Sequence, residues 1–224
     1  MPLNQRVAVI TGATGATGRL AAQALAEKGA ALALLSTNRQ KLDGLAQSLN
    51  LPPERLLVIA ADLTDRAAVF AAAEAIQEHF GRVDMLLHLV GGWTGGIALV
   101  DTPVQDLESM LRQHLWTTFH LIQAFLPALT KNGWGRAIVV SSPSAVKPPA
   151  KTGAYAIGKA AEETLMLTLA REVVEYGITA NIIQVRSIDA NGEGKGTPPR
   201  EIVSAMLELC ADDAATTNGE RIAL

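Results

Sequence analysis

Residues 141–159 read Ser-Ser-Pro-Ser-Ala-Val-Lys-Pro-Pro-Ala-Lys-Thr-Gly-Ala-Tyr-Ala-Ile-Gly-Lys and connect an apolar run to an alanine-rich segment. The apolar run at 137–140 predicts a buried strand, and the prolines and glycine after it predict a loop that leads into a helix. Tyr155 and Lys159 are four residues apart and therefore share one face of that helix. Ser142 lies thirteen residues before Tyr155, at the end of the strand.

These three side chains suit proton transfer at a carbonyl group. A free phenol has a pKa of about 10, and a nearby ammonium favours the phenolate. Tyr155 could therefore act as a general acid or base beside Lys159, while the Ser142 hydroxyl holds a carbonyl oxygen. A Tyr-x-x-x-Lys pair also occurs by chance on helix surfaces. The strand that ends at Ser142 and the glycine-rich start of the chain favour a site.

The N-terminal part of the chain predicts a dinucleotide-binding turn. Residues 6–11 form an apolar strand that leads into Gly-Ala-Thr-Gly-Ala-Thr-Gly at 12–18 and then into a helix. Glycines allow the backbone to approach a pyrophosphate, and the helix N-terminus offers free N–H groups to it. The alternative is an ordinary loop. The residues expected at the phosphates are Gly12, Thr14, Gly15 and Gly18.

The end of the second predicted strand, at 31–35, favours NADP over NAD. An acidic residue at this point would bind the adenosine ribose, and none occurs between Ala30 and Gln40. Ser36 and Asn38 are small and polar, and Arg39 could attract a 2′-phosphate. Alternatively, Arg39 lies in solvent at the start of the next helix.

Ser142, Tyr155 and Lys159 resemble the catalytic serine, tyrosine and lysine of the short-chain dehydrogenase/reductase family. The resemblance extends over residues 7–224 and implies a Rossmann-type domain, a nicotinamide dinucleotide and hydride transfer between an alcohol and a carbonyl. It implies that Tyr155 is the general acid/base, that Lys159 activates it and contacts the cofactor ribose, and that Ser142 positions the carbonyl. It also places three further residues at the cofactor, namely Asp62, Leu63 and Gly91.

The chain departs from the family at three places. His88-Leu-Val-Gly91 stands where the family usually has Asn-Asn-Ala-Gly, and we expect His88 to be structural. Val185-Arg186 replaces a Pro-Gly pair. His114 stands where the family commonly has a catalytic asparagine.

His114 is therefore a candidate catalytic residue with two open interpretations. An imidazole has an ordinary pKa of about 6.5 and, when protonated, would favour the deprotonated forms of Lys159 and Tyr155. If the ring reaches the site, the pH–rate profile gains a limb in the neutral range that His114→Asn removes. If the ring faces the core or solvent, the profile keeps its shape.

Composition limits the remaining function classes. The chain has 224 residues, 49% of them hydrophobic, which suits a single α/β domain over residues 1–224. The net charge is −3 and the basic residues are scattered, so we expect no nucleic-acid partner. The sequence contains no run of eighteen apolar residues, so we expect no membrane span. We also predict no metal site. Cys210 is the only cysteine, which favours the cytoplasm.

These observations predict a doubly wound parallel sheet of about seven strands, with the dinucleotide at the carboxyl ends of the strands. The predicted function is NADP(H)-dependent oxidation or reduction of a small-molecule alcohol or carbonyl, with NAD as the other cofactor. Small residues on the 155–176 helix, namely Ala156, Ala160 and Ala161, predict a homodimer or homotetramer.

Two other functions remain open. The departures from the family pattern allow a dinucleotide-binding module that has lost turnover and acts through association. The segments 92–96 and 115–118 are similar to short stretches of dihydropteridine reductase, although dihydropteridine reductases lack the serine that Ser142 supplies.

Overall fold

The computed structural model describes residues 3–224 and contains one seven-stranded sheet in the order β3-β2-β1-β4-β5-β6-β7. Every neighbouring pair of strands is parallel, as the predicted doubly wound fold requires. The strands are β1 Val7–Thr11, β2 Ala31–Ser36, β3 Leu56–Ala60, β4 Met85–His88, β5 Gly135–Ser141, β6 Ile178–Gln184 and β7 Arg221–Ala223.

Seven helices cover the two faces of the sheet. None of the helices within residues 3–224 is both long and apolar enough to span a bilayer. The helices are α1 Ala16–Glu27, α2 Arg39–Leu49, α3 Arg66–Phe80, α4 Val104–Met110, α5 Thr117–Lys131, α6 Gly153–Glu172 and α7 Pro199–Leu209.

The central strands are mostly apolar because both of their faces are buried. In β1, Ile10 packs in the layer of α1, α2 and α7, whereas its neighbour Val9 packs in the layer of α3, α5 and α6. Leu25 belongs to the first layer, and Phe125 and Met166 belong to the second. This alternation of side chains fixes the register of the sheet between the two helical layers.

The strand order changes direction between β1 and β4: the chain adds β2 and β3 on one side of β1 and then β4 to β7 on the other. This switch point leaves a crevice at the carboxyl ends of the strands. Gly12 begins the turn after β1 with φ +64, and a Cβ there would lie 2.8 Å from the Leu89 carbonyl oxygen. A Cβ at Gly18 would overlap the Gly12 carbonyl oxygen. The turn therefore requires glycine at both positions.

The predicted helix near residues 102–125 is present, but it is not a regular α-helix. A π-helical turn, Leu111–Trp116, joins α4 to α5. Turns of this kind insert an extra residue and often occur at functional sites. His114 lies within this π turn, facing the N-terminal half of α6.

Candidate active site

Two adjoining cavities form one groove along the carboxyl ends of the strands. The larger has a volume of about 590 Å³ and is lined by the turn after β1, the loop after β4, part of α6 and the loop after β6. The smaller has a volume of about 300 Å³ and lies at the ends of β2 and β3. The two share Gly12, Gly15 and Gly91, so the groove is continuous.

The start of α1 provides free hydrogen-bond donors to the larger cavity. Gly15 is the N-cap residue and has no side chain to occupy the first N–H groups of the helix. Thr17, in the first turn, has a buried Oγ1 without a hydrogen-bond partner. These groups fit the pyrophosphate of a dinucleotide. The sequence analysis did not select Thr17, although a hydroxyl in the first turn after this motif was a usable signal.

The smaller cavity is lined by Thr14, Ser36, Asp62 and Leu63, which are four of the residues expected at the cofactor. Thr14 Oγ1 and Ser36 Oγ form a hydrogen bond of 2.8 Å between the glycine-rich turn and the end of β2. Asp62 and Leu63 line the cavity after β3. The Asp62 carboxylate accepts hydrogen bonds from the N–H and the hydroxyl of Thr64.

Two other predicted cofactor residues lie at the start of α2, outside both cavities. The Asn38 side chain is the N-cap and accepts from the Lys41 N–H at 2.9 Å. The Arg39 side chain is 63% exposed and pairs with Asp43 at 2.8 Å. An exposed pair at this spacing contributes little to stability, so the guanidinium is available to exchange Asp43 for a phosphate.

The α6 helix carries Tyr155 and Lys159 into the wall of the larger cavity. Lys159 is 4% exposed, and its Nζ donates to the Val140 carbonyl oxygen at 2.8 Å. The same Nζ donates to Glu162 Oε2 at 2.6 Å. The ammonium is therefore held between β5 and its own helix.

Glu162 is a buried carboxylate that the sequence analysis did not identify. Its side chain has no exposed surface, and its Oε1 has no hydrogen-bond partner within residues 3–224. Burial raises the pKa of the Glu162 carboxyl, and the charge and hydrogen bond of Lys159 act against that shift. Its position three residues after Lys159 was the available signal, because it places both on one side of α6.

The two serines at the end of β5 have different surroundings. Ser142 is 2% exposed, and its Oγ donates to Ser144 Oγ at 3.2 Å. Ser142 does not line the larger cavity, whereas Ser141 does. Ser141 Oγ is buried and has no hydrogen-bond partner.

The His114 ring lies in the cavity wall, with its centroid 5.7 Å from that of Tyr155. Nε2 donates to the Gly92 carbonyl oxygen at 3.1 Å, so Nδ1 carries a lone pair, and that atom is buried without a partner. Burial, followed by the charge of Lys159, lowers the pKa of His114 to about 3. The ring therefore reaches the site and, with this pKa, is neutral near pH 7. A neutral ring argues against the expected limb near neutral pH, and the limb itself stays a prediction for the pH–rate profile.

His88 occupies the structural position that its sequence context predicted. Nδ1 lies 2.7 Å from Thr11 Oγ1, and Nε2 lies 3.1 Å from Thr117 Oγ1. Burial, with smaller contributions from Lys159 and His114, lowers its pKa to about 3. Both ring nitrogens are thus occupied by threonine hydroxyls, and the ring ties β1 and β4 to α5.

The sheet order, the switch point and the groove define a Rossmann-type α/β protein. The short chain dehydrogenase family profile matches residues 6–198 of the sequence. The chain belongs to that family of oxidoreductases.

Similar proteins agree with this assignment. An uncharacterized oxidoreductase of Staphylococcus epidermidis is 29% identical over 212 residues, covering 92% of this chain and 90% of that protein. A short-chain type dehydrogenase/reductase from Mycobacterium ulcerans has a TM-score of 0.93 at 19% identity, covering 100% of this chain and 90% of that one. NAD⁺-bound xylitol dehydrogenase has a TM-score of 0.88 at 24% identity, covering 100% of this chain and 99% of that one. At these identities the two structures share the fold.

The two buried histidines predict a loss of stability in acid. Their pKa is about 3 in the folded chain and about 6.5 in the unfolded chain, so the unfolded state binds more protons between these values. The free energy of unfolding should fall as the pH decreases through this window, by up to about 1.4 kcal/mol per pH unit for each histidine. His114→Asn should reduce this slope in urea titrations at about pH 7, 6 and 5.

His79→Asn is the matched control, because His79 is exposed on α3. This variant should keep the slope of the parent protein. Equal slopes for the parent and His114→Asn would contradict the assignment of a neutral His114.

Proposed function

We propose that this protein is an NADP(H)-dependent oxidoreductase that interconverts a small-molecule carbonyl and its alcohol. The observation that carries the proposal is that Tyr155 and Lys159 line the same cavity as the glycine-rich turn. The donors at the start of α1 favour a pyrophosphate in that cavity. The bound nicotinamide would supply or accept the hydride.

Tyr155 is the proposed general acid/base. In the reducing direction its hydroxyl gives a proton to the carbonyl oxygen, and in the oxidising direction its phenolate takes the proton back. The Lys159 ammonium has three N–H groups, two of which are used by Val140 and Glu162. The third is available to a ribose hydroxyl, and the positive charge favours the phenolate.

Hydroxyls, an imidazole and apolar side chains complete the proposed site. Ser142 and the cavity-lining Ser141 provide hydroxyls at the end of β5 to hold the carbonyl oxygen. His114 acts as a neutral hydrogen-bond acceptor through Nδ1, toward a water molecule or a substrate hydroxyl. Trp93 and Ile188 contribute apolar surface to the cavity, which suits a small organic substrate.

The proposed compartment is the cytoplasm. Cys210 is the single cysteine of the sequence and is buried in the fold. Burial raises its pKa to about 12, so the thiol is unreactive. A chain without internal disulfides suits a reducing environment.

Replacement of Tyr155 tests the reaction. Tyr155→Phe should lower kcat by at least about a hundredfold while the reduced cofactor still binds, because only the proton donor is removed. Lys159→Ala should reduce both turnover and cofactor affinity. Turnover is measured by nicotinamide absorbance against a panel of carbonyl and alcohol substrates, and binding by fluorescence titration.

Tyr176→Phe is the matched control, since Tyr176 is the other tyrosine of the chain and is 48% exposed. It should retain full activity. Near-normal turnover by Tyr155→Phe would refute the proposed role of α6. Cofactor binding by the parent protein without turnover of any substrate would instead favour a binding module.

The cofactor preference is tested at Arg39. Ser36 and Thr37 line the adenosine end of the groove without an acidic side chain from β2, and Arg39 can pair with a 2′-phosphate. NADPH should bind at least about tenfold more tightly than NADH, which corresponds to about 1.4 kcal/mol. Arg39→Ala should weaken the binding of NADPH alone. Equal or tighter binding of NADH by the parent protein would overturn the preference.

The proposed self-association uses the outward face of α6. The sequence analysis placed Ala156 on this face, but Ala156 is buried in its own chain, so that part of the prediction is wrong. Ala160 and Ala161 are half-buried. Between residues 157 and 168 the exposed or half-exposed side chains of this face are uncharged, namely Ile157, Ala160, Ala161, Thr164 and Thr168, and the charged Arg171 and Glu172 follow at the end of the helix. An uncharged helical face suits close packing against a second copy.

Light scattering at micromolar concentration should give at least twice the chain mass of 23.6 kDa. Thr164→Glu places a charge in the middle of the face and should shift the protein toward the monomer. Ser204→Glu adds the same charge at an exposed position of α7 and should leave the mass unchanged. A monomeric parent protein would count against the interface.

A further inference from the structure

Glu162 is the only carboxylate within hydrogen-bonding distance of Lys159 among residues 3–224. The pair is almost completely inaccessible, with side chains 5% and 0% exposed. Neither the family resemblance nor the proposed reaction accounts for a negative charge at this position. A buried carboxylate is costly to keep unless it has a partner, so its contact with the proposed activating lysine needs an explanation.

The carboxylate restricts where the ammonium can lie. An ammonium on a four-carbon stem has many rotamers, and its position beside Tyr155 is not fixed by the stem alone. Glu162 Oε2 holds Nζ from the same helix at 2.6 Å, and the Val140 carbonyl oxygen holds it from β5 at 2.8 Å. Two acceptors from two elements therefore fix the direction of the third N–H group.

The carboxylate also opposes the charge that Lys159 presents. A negative charge 2.6 Å from Nζ cancels part of the potential that the ammonium produces at neighbouring atoms. Tyr155 lies one helical turn before Lys159 and lines the same cavity, so it experiences both charges. The low exposure of the pair keeps this interaction from being screened by water or salt.

We propose that Glu162 is a positioning residue, which holds Lys159 in place and offsets its charge, so that Tyr155 releases its proton at a higher pH than Lys159 alone would set. The proposal rests on the proposed function for its catalytic meaning. The effect of Glu162 on the ionisation of Tyr155 can be measured without turnover.

The other ionisable groups around the pair support a specific role for Glu162. His114 from the π turn and His88 from β4 face Lys159, and both are neutral, with pKa values of about 3. Glu163 is also buried on α6, but it contacts Gln184 at 2.7 Å and Arg221 at 2.6 Å. Its charge is therefore compensated by Arg221. Within residues 3–224, Glu162 is thus the one carboxylate paired with Lys159.

The test follows the ultraviolet absorbance of tyrosinate in the protein without cofactor. The chain has only two tyrosines, so a Tyr176→Phe background reports Tyr155 alone. In this background Glu162→Gln should move the midpoint of tyrosinate formation to lower pH by about one pH unit or more, because a nearby negative charge is removed. Glu163→Gln, the same change one residue away, should leave the midpoint in place. Glu162→Asp keeps the charge and should titrate nearer the parent protein.

An unchanged or higher midpoint in Glu162→Gln would overturn the proposal. If that variant does not fold, as judged by circular dichroism, the double variant Lys159→Met/Glu162→Met replaces the pair with apolar side chains of similar length. This double variant loses both charges together. The midpoint of tyrosinate formation should therefore rise by less than about one pH unit relative to the Tyr176→Phe background. A larger rise would mean that Lys159 acts unopposed, which would also overturn the proposal.

Kinetics then separate this inference from the proposed function. In alcohol oxidation the lower-pH limb of the kcat profile should move in Glu162→Gln in the same direction as the tyrosinate midpoint. A merely structural role would lower kcat or stability without moving the limb, and would contradict the proposal. A parent protein without turnover but with the tyrosinate shift would refute the oxidoreductase activity and leave the electrostatic role of Glu162 standing.

Discussion

The buried Lys159 ammonium is the interaction on which the arrangement of the site depends. A charge on a side chain that is only 5% exposed must be compensated by nearby groups. The Val140 carbonyl oxygen and Glu162 provide that compensation from β5 and α6. These contacts fix the position of α6 against the carboxyl end of β5. The same contacts place Tyr155 at the cavity wall, facing the turn after β1.

The two histidines that stand where the family commonly has amides are both buried beside Lys159. Burial disfavours the charged form of each ring, and the Lys159 ammonium adds repulsion, so His114 and His88 remain neutral. A neutral imidazole offers one hydrogen-bond donor and one acceptor, and the side-chain amide of asparagine also offers both kinds of group. His114 uses its donor on Gly92 and leaves its acceptor to the cavity. The replacement therefore preserves hydrogen bonding without adding a charge.

The sequence predicted the fold well because its signals are local. The apolar runs at 6–11, 31–35 and 137–140 correspond to β1, β2 and β5, and Gly12 has the positive φ that its place after β1 requires. The site was predicted less completely, because it depends on burial and side-chain direction. Arg39 and Ser142 lie where the motifs placed them along the chain, yet Arg39 is exposed and Ser142 bonds Ser144. Neither property can be derived from sequence spacing.

The α6 helix explains why hydrophobic periodicity did not predict that Glu162 is buried. A surface helix normally buries apolar side chains and exposes charged ones, but α6 buries Lys159, Glu162 and Glu163 and exposes Ile157. The charges face inward because the site and Arg221 provide their partners. A turn of the helix by one residue, about 100°, would carry Lys159 away from β5 and toward solvent. The buried charges thus fix the rotation of α6 about its axis, and the same rotation leaves Ile157, Thr164 and Thr168 exposed on the opposite side.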